Sequence, residues 1–276
     1  MNYFSKKKIG LIAGNGNFPL ITLENAKKAG YEVYVCAIKG EADQLVADLA
    51  HICTWVKLGQ IRKVATFFLN NDVHECIMAG KITKTNVLKG HVFPDLDMIA
   101  LAATLKDWKD DSLLGSICSY LEKRGIVIMD STYLLGDLVA KEQVYSKKKP
   151  SKAIVEDIEF GWQMAKEMGR LDIGQAVIVK NKAVLAVEAI EGTDAAIRRA
   201  GDLGGSGSVI VKVAKPQQDM RFDVPVVGLR TLDNLIACGA KALVVEAGKT
   251  IILDPVLFVE KIDREKIVFV GRKDKA

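Results

Sequence analysis

The feature that most constrains the fold is a short apolar run, Lys8-Ile9-Gly10-Leu11-Ile12-Ala13-Gly14, which ends in glycine just before a helical stretch. The run shows no alternation of apolar and polar residues, so both of its faces need cover. That is the pattern of a buried parallel strand turning into a helix. A helix is predicted over Leu20 to Ala29, with Gly30 as its C-terminal cap, and a second strand over Glu32 to Ile38. The same reading predicts a helix over Ile61 to Leu69, a strand over Glu75 to Ala79, a helix near Leu113 to Lys123 and a strand over Ile126 to Met129. Strands alternating with helices imply an α/β fold with a parallel sheet covered on both faces.

The chain has 276 residues, 49% of them hydrophobic and 26% charged, enough for two packed domains. Between Lys141 and Lys152 the composition shifts to Lys, Ser and Pro, which reads as a linker into a helix over Ile154 to Met168. The expected domains are therefore 1–150 and 151–276. In the second, Gln175 to Val179, Lys182 to Glu188 and Ser208 to Val213 are strand-like, with Asn181 at the turn of an antiparallel hairpin. A helix over Thr231 to Cys238, closed by Gly239, a strand over Ala242 to Glu246 and a short hairpin around Ala247-Gly248-Lys249 complete a mixed α/β domain.

Composition narrows the partners. The net charge is +5, but the basic residues are spread along the chain and the densest run is Lys147-Lys148-Lys149, so no nucleic-acid partner is expected. Cys36, Cys53, Cys76, Cys118 and Cys238 lie far apart, mostly within apolar runs, and read as reduced core residues. His51, His74 and His91 stand alone and read as structural, so a zinc site is not expected. The apolar run after the N-terminus is too short for a signal peptide or a membrane span, and the expected location is the cytoplasm.

The densest chemistry lies in Lys215-Pro216-Gln217-Gln218-Asp219-Met220-Arg221-Phe222-Asp223-Val224-Pro225. Prolines at both ends argue for an extended or turning backbone, and in a strand Asp219, Arg221 and Asp223 would share one face. Such a face could hold a divalent cation beside a phosphate, or be a solvated edge with a surface ion pair. Gly14-Asn15-Gly16-Asn17-Phe18-Pro19 joins the first strand to the first helix, where backbone N–H groups favour an anion such as phosphate. A tight turn needing its glycines is the alternative. The third glycine of a dinucleotide fingerprint is replaced by Pro19, and no acid beyond nearby Glu41 would complete a ribose site, so ordinary NAD binding is disfavoured.

Lys81 and Lys84 follow another strand and would lie on the same rim, as phosphate contacts or in a solvated loop. Asp111 is a candidate N-cap, and Asp110 beside it is a candidate for metal or ribose. Glu188, Glu191, Gly192, Thr193 and Asp194 gather acids at a helix start, beyond what capping requires. Gly201, Gly204, Gly205 and Gly207 make either a flexible turn or a loop lying closely over a ligand.

In order and spacing, the Gly14 to Pro19 loop, Asp110-Asp111-Ser112-Leu113-Leu114, Glu191-Gly192-Thr193-Asp194 and the segment from Lys215 to Gly228 resemble the LpxI family of UDP-2,3-diacylglucosamine pyrophosphatases. The resemblance implies an N-terminal Rossmann-like domain, a C-terminal domain of the family's own kind, and Mg²⁺-dependent hydrolysis of UDP-2,3-diacylglucosamine to 2,3-diacylglucosamine 1-phosphate (lipid X) and UMP in lipid A biosynthesis. It implies an essential aspartate within Gln218 to Asp223, either Asp219 or Asp223, holding the metal or orienting water. Lys215 and Arg221 would neutralise phosphate charge. Gly14, Asn15, Gly16, Asn17, Phe18, Lys81, Asp110, Asp111, Glu191, Gly192, Thr193 and Asp194 are the expected substrate-binding positions. The partner would be a lipid-linked nucleotide sugar, reached through peripheral contact with the inner membrane, and base rates favour a homodimer. Trp108, Phe93, Trp162 and Met164 are candidates for an apolar crevice, with core packing the leading expectation. The rival from another class is a non-catalytic nucleotide-sugar-binding protein, against which the two acids near Arg221 count.

Overall fold

The computed structural model describes residues 7–83, 92–105 and 110–274, with Asp110 and Asp111 described by backbone alone. His91, Lys84 and Trp108 lie outside the described residues. The chain divides into two compact units. The first is Met1–Leu135 with Asp219–Asp223, and the second is Gly136–Gln218 with Val224–Ala276.

The first unit carries strands β1 (Lys8–Ala13), β2 (Glu32–Ile38), β3 (Ile52–Val56), β4 (Glu75–Ala79) and β5 (Val127–Ile128), all parallel, in the order β3-β2-β1-β4-β5. Helices α1 (Phe18–Lys28), α2 (Gln44–Leu49), α3 (Ile61–Asn70), α4 (Leu96–Ala102) and α5 (Asp110–Glu122) connect them. The doubly apolar first run is the central strand, as its composition requires. One face packs Leu11, Val35 and Ile77 with Leu23 of α1, and the other packs Ile12, Cys36 and Cys76 with Phe68 of α3 and Leu121 of α5. Gly10 permits this packing, because a Cβ there would sit 2.7 Å from the Cys76 Cβ and 2.8 Å from the Phe68 ring. Helix α1 begins at Phe18 rather than Leu20, since Pro19 occupies the first turn, where its missing N–H costs nothing.

Asp97 of α4 ties three elements together, accepting from Arg62 of α3 and from Tyr120 and Arg124 at the end of α5. Arg62 and Tyr120 hold its carboxyl down at about 2, well below the usual range.

The second unit holds β6 (Gln143–Val144), β7 (Ala176–Lys180), β8 (Ala183–Val187), β9 (Val209–Lys212), β10 (Val226–Val227), β11 (Ala242–Glu246), β12 (Ile251–Ile252) and β13 (Val268–Arg272). Its helices are α6 (Lys152–Arg170), α7 (Thr193–Gly204), α8 (Leu229–Ala237) and α9 (Pro255–Arg264). Six strands form a mixed sheet in the order β6-β13-β11-β9-β7-β8, of which β9, β11 and β13 are parallel. Trp162 and Ala165 of α6 pack one face, which places Trp162 in the core, while Ile197, Leu235 and Phe258 of the other helices pack the opposite face. Phe93, in the first unit, is half exposed under the Lys57 ammonium.

Three expectations are corrected. Residues 141–152 are not a linker: β6 pairs antiparallel with β13, and Tyr145 stacks on Phe269 with ring centroids 4.8 Å apart, so the division of the chain falls near 136 instead of 150. Ala247 to Lys249 close no hairpin, because β12 pairs in parallel with β10 rather than returning along β11. The glycines from 201 to 207 do not form a ligand loop. Gly201 and Gly204 lie within α7, where an added Cβ would meet the Cys238 Cβ at 2.6 Å and Leu185 at 2.4 Å, and Gly205, at φ 60°, ends that helix. The expected β7–β8 hairpin is present, with Asn181 and Lys182 at φ 53° and 57°.

Candidate active site

The carboxyl rim of the first sheet is built by two loops that interlock. The Gly14 N–H donates to the Ala79 carbonyl at 2.8 Å, and Asn15 and Lys81 exchange backbone bonds of 2.8 and 3.0 Å. This approach demands glycine on both sides. A Cβ on Gly14 would lie 2.7 Å from the Lys81 carbonyl oxygen, and one on Gly80, whose φ is +93°, would lie 2.7 Å from the Gly14 carbonyl carbon. Beyond the interlock, Asn15, Gly16 and Asn17 are exposed, and Asn17 makes no side-chain capping bond to α1. The helix therefore presents its first-turn amides and the positive end of its dipole to solvent beside the exposed Lys81, an arrangement that attracts phosphate.

The acidic segment is a turn, not a strand. The Asp219 carboxylate accepts from the Arg221 backbone N–H at 3.0 Å, and its carbonyl accepts from Asp223 N–H at 3.1 Å. The Arg221 side chain then folds back onto the same carboxylate, with Nε 2.9 Å from Oδ1 and Nη2 2.6 Å from Oδ2, while Nη1 reaches Glu122 of α5 at 2.6 Å. Asp219, Arg221 and Asp223 thus do not share a strand face, because Asp219 uses its short polar side chain to close the turn locally. Buried Ser131 fastens this turn to the sheet. Its hydroxyl lies 2.8 Å from the Met78 carbonyl and 2.7 Å from that of Arg221, and its N–H donates to Met220 at 2.9 Å. Phe222 packs against the apolar cluster below.

Arg221 holds the Asp219 carboxyl below its ordinary value. A depressed folded-state value contributes stability above the unfolded value near 3.8, and that contribution is lost as pH falls through the folded one. The wild type is therefore expected to lose stability in urea as pH drops below about 4, and Asp219→Asn to lose less over the same window. An equal fall in both would contradict the pairing.

Both Asp219 oxygens are engaged by Arg221, and among the described residues no group of three His, Cys, Asp or Glu is placed to hold a metal ion. Mg²⁺ commonly takes only one or two carboxylates and fills its shell with substrate phosphates and water, and the carboxylates that would hold it here are Asp223 and, when Arg221 releases it, Asp219. Asp110 and Asp111 both have helical backbone in α5, so Asp111 lies within the helix rather than at its cap. Their side chains are outside the described residues.

In the second unit the predicted residues enter separate ion pairs and hydrogen bonds. Lys215 is ion-paired with Asp172 at 2.7 Å, Glu191 with Arg199 at 2.6 Å, and Asp194 with Arg230 at 2.7 Å. Gly192 precedes α7 at φ 83°, and Thr193 opens the helix, its hydroxyl 2.8 Å from Glu188 Oε1 and 2.9 Å from the Lys212 ammonium. The second Glu188 oxygen is buried with no hydrogen-bond partner among the described residues. Lys212 and Ser131 were not anticipated. Lys212 had a visible signal, a lysine inside the apolar run from Ser208 to Val213, and its burial at the carboxyl end of β9 explains it. Ser131 had none, since its role depends on a chain crossing distant in sequence.

The family models described as LpxI N-terminal domain and LpxI C-terminal domain match residues 8–138 and 141–270. A curated relative, UDP-2,3-diacylglucosamine pyrophosphatase LpxI of Caulobacter vibrioides, is 29% identical over 90% of this chain and 91% of its own. Among solved structures, N5-carboxyaminoimidazole ribonucleotide synthetase from Thermotoga maritima is 16% identical at a TM-score of 0.27, covering 66% of this chain and 41% of that one. That likeness is too slight to carry an argument. The two domain matches, in order and end to end along the sequence, do carry one: the chain belongs to the LpxI family.

Proposed function

We propose that this protein hydrolyses the pyrophosphate bond of UDP-2,3-diacylglucosamine, yielding 2,3-diacylglucosamine 1-phosphate and UMP. The observation that carries the reading is the placement, within one unit, of an acidic turn fastened by Ser131 to Met78, next to the strand end whose loop interlocks at Asn15 with the exposed Gly16 and Asn17 that open α1. A pyrophosphate diester repels an incoming hydroxide, so its cleavage needs positive potential at the phosphates and a carboxylate to take the proton of water. The loop at Gly14 to Phe18 and Lys81 supply the first. Asp223 supplies the second: the attacking water forms a new P–O bond, its proton passes to the carboxylate, and the anhydride P–O bond breaks with its electron pair on the departing phosphate. Asp219 and Arg221 hold the turn.

Lys215 is proposed to neutralise phosphate charge, and Glu191, Gly192, Thr193, Asp194, Asp110 and Asp111 to contact substrate, on the strength of the family motifs they match. Magnesium dependence, work at the cytoplasmic face of the inner membrane and a homodimer complete the proposal. Among the described residues no helix is long and apolar enough to cross a membrane, consistent with peripheral contact. Incubation of purified protein and substrate with Mg²⁺ or with excess EDTA tests the reaction and the metal together. Equal yields of UMP and lipid X with Mg²⁺ alone are expected. Equal activity with EDTA would remove the metal from the proposal, and tight substrate binding without product would favour a nucleotide-sugar-binding protein.

A further inference from the structure

Glu41 occupies the region where a dinucleotide-binding fold places the acid that accepts a ribose hydroxyl, just past the end of β2. Here it is turned to another use. The side chain is buried, at 7% exposure, and its oxygens take both donors of one residue, the Thr83 N–H at 3.1 Å and the Thr83 hydroxyl at 2.8 Å. The loop after β4 is thereby held at two points, at Lys81 by its backbone exchange with Asn15 and at Thr83 by Glu41. The strand order β3-β2-β1-β4-β5 makes this position important. The chain runs from β1 outward through β2 and β3 on one side, then crosses over to β4 on the other side of β1, and ligands of open α/β sheets enter at such a switch point. The Glu41–Thr83 bond ties the loops of β2 and β4 together across it.

We propose that Glu41 is a positioning residue for the nucleotide, acting through Thr83 to fix Lys81 and the Asn15 to Phe18 loop, and that it is not a ribose ligand. The proposal rests on the reading of this rim as the nucleotide site. Breaking the clamp relaxes the loops without touching the reacting groups, so it acts on binding more than on turnover. Expected in the full-length protein are an increase of about tenfold in the KM for UDP-2,3-diacylglucosamine and in the Kd for UMP for Glu41→Ala and for Thr83→Val, with kcat within about twofold of wild type. Thr83→Ser, which keeps the hydroxyl, retains wild-type values. The double variant Glu41→Ala/Thr83→Val is no worse than Glu41→Ala alone, because losing the carboxylate already removes both bonds to Thr83.

Unchanged KM and Kd in folded Glu41→Ala, or additive losses in the double variant, overturns the clamp. If Glu41 bound the ribose instead, Glu41→Ala would weaken UMP but Thr83→Val would not, which also overturns it. UMP binding is read separately from hydrolysis. An inactive wild type that binds UMP with the predicted pattern supports the clamp while removing the catalytic reading, and a wild type that does not bind UMP overturns both.

Discussion

Replacing Asp223 with Asn lowers kcat by about a hundred- to ten-thousand-fold, the range supplied by a positioned acid or base, while KM and thermal unfolding stay close to wild type. Asp219→Asn behaves differently, losing turnover together with stability. The contrast follows from the turn. Asp219 spends its carboxylate on the Arg221 backbone and guanidinium, so its loss loosens the segment that carries Asp223. Asp223 donates its backbone N–H to the Asp219 carbonyl, a bond that Asp223→Asn retains. Steady-state kinetics and unfolding of the two variants side by side decide the matter. A fully active Asp223→Asn beside an inactive, well-folded Asp219→Asn would reverse the assignment.

A large effect on stability is expected from Gly80→Ala. The added Cβ would meet backbone atoms on two sides, the Gly14 carbonyl carbon at 2.7 Å and the Asn15 carbonyl oxygen at 2.8 Å, at a φ of +93°. Backbone cannot yield as a flexible side chain does, and a left-handed conformation and an overpacked contact cost about 1–3 kcal/mol each. A loss of about 2–5 kcal/mol in urea unfolding is expected, with weakened UMP binding because the Asn15–Lys81 exchange must open. Gly16→Ala is the control: its φ is also positive, at +95°, but nothing lies within 4 Å of the added atom, so its cost is confined to the backbone term. Equal destabilisation by the two would show that the interlock contributes nothing.

What the sequence revealed follows burial. β1, β2 and β4 are legible because strands covered on both faces are written as apolar runs bounded by glycine. β3 escapes notice because it is an edge, with only Val56 buried in Ile52-Cys53-Thr54-Trp55-Val56. The stretch containing β6 reads as a linker because its lysines and serines report surface, whereas its pairing with Val270 and Gly271 is made by backbone. Within the site, the interlocking glycines leave a trace and the acids stand out by type. The spacing of Asp219, Arg221 and Asp223 misleads, because a two-residue interval serves a strand face and a side-chain-closed turn equally well. The clamp from Glu41 to Thr83 and the Ser131 fastening are invisible to local pattern, since each joins segments brought together only by the sheet.

The most direct test of the central claim is UMP release by the full-length wild type from UDP-2,3-diacylglucosamine, followed by mass spectrometry with UDP-N-acetylglucosamine as the comparison. The account predicts equimolar UMP and 2,3-diacylglucosamine 1-phosphate from the acylated substrate, little from the other, and release of both slowed at least about a hundredfold when Asp223→Asn replaces the wild type. Absence of UMP from the acylated substrate, or its undiminished release by Asp223→Asn, would contradict it.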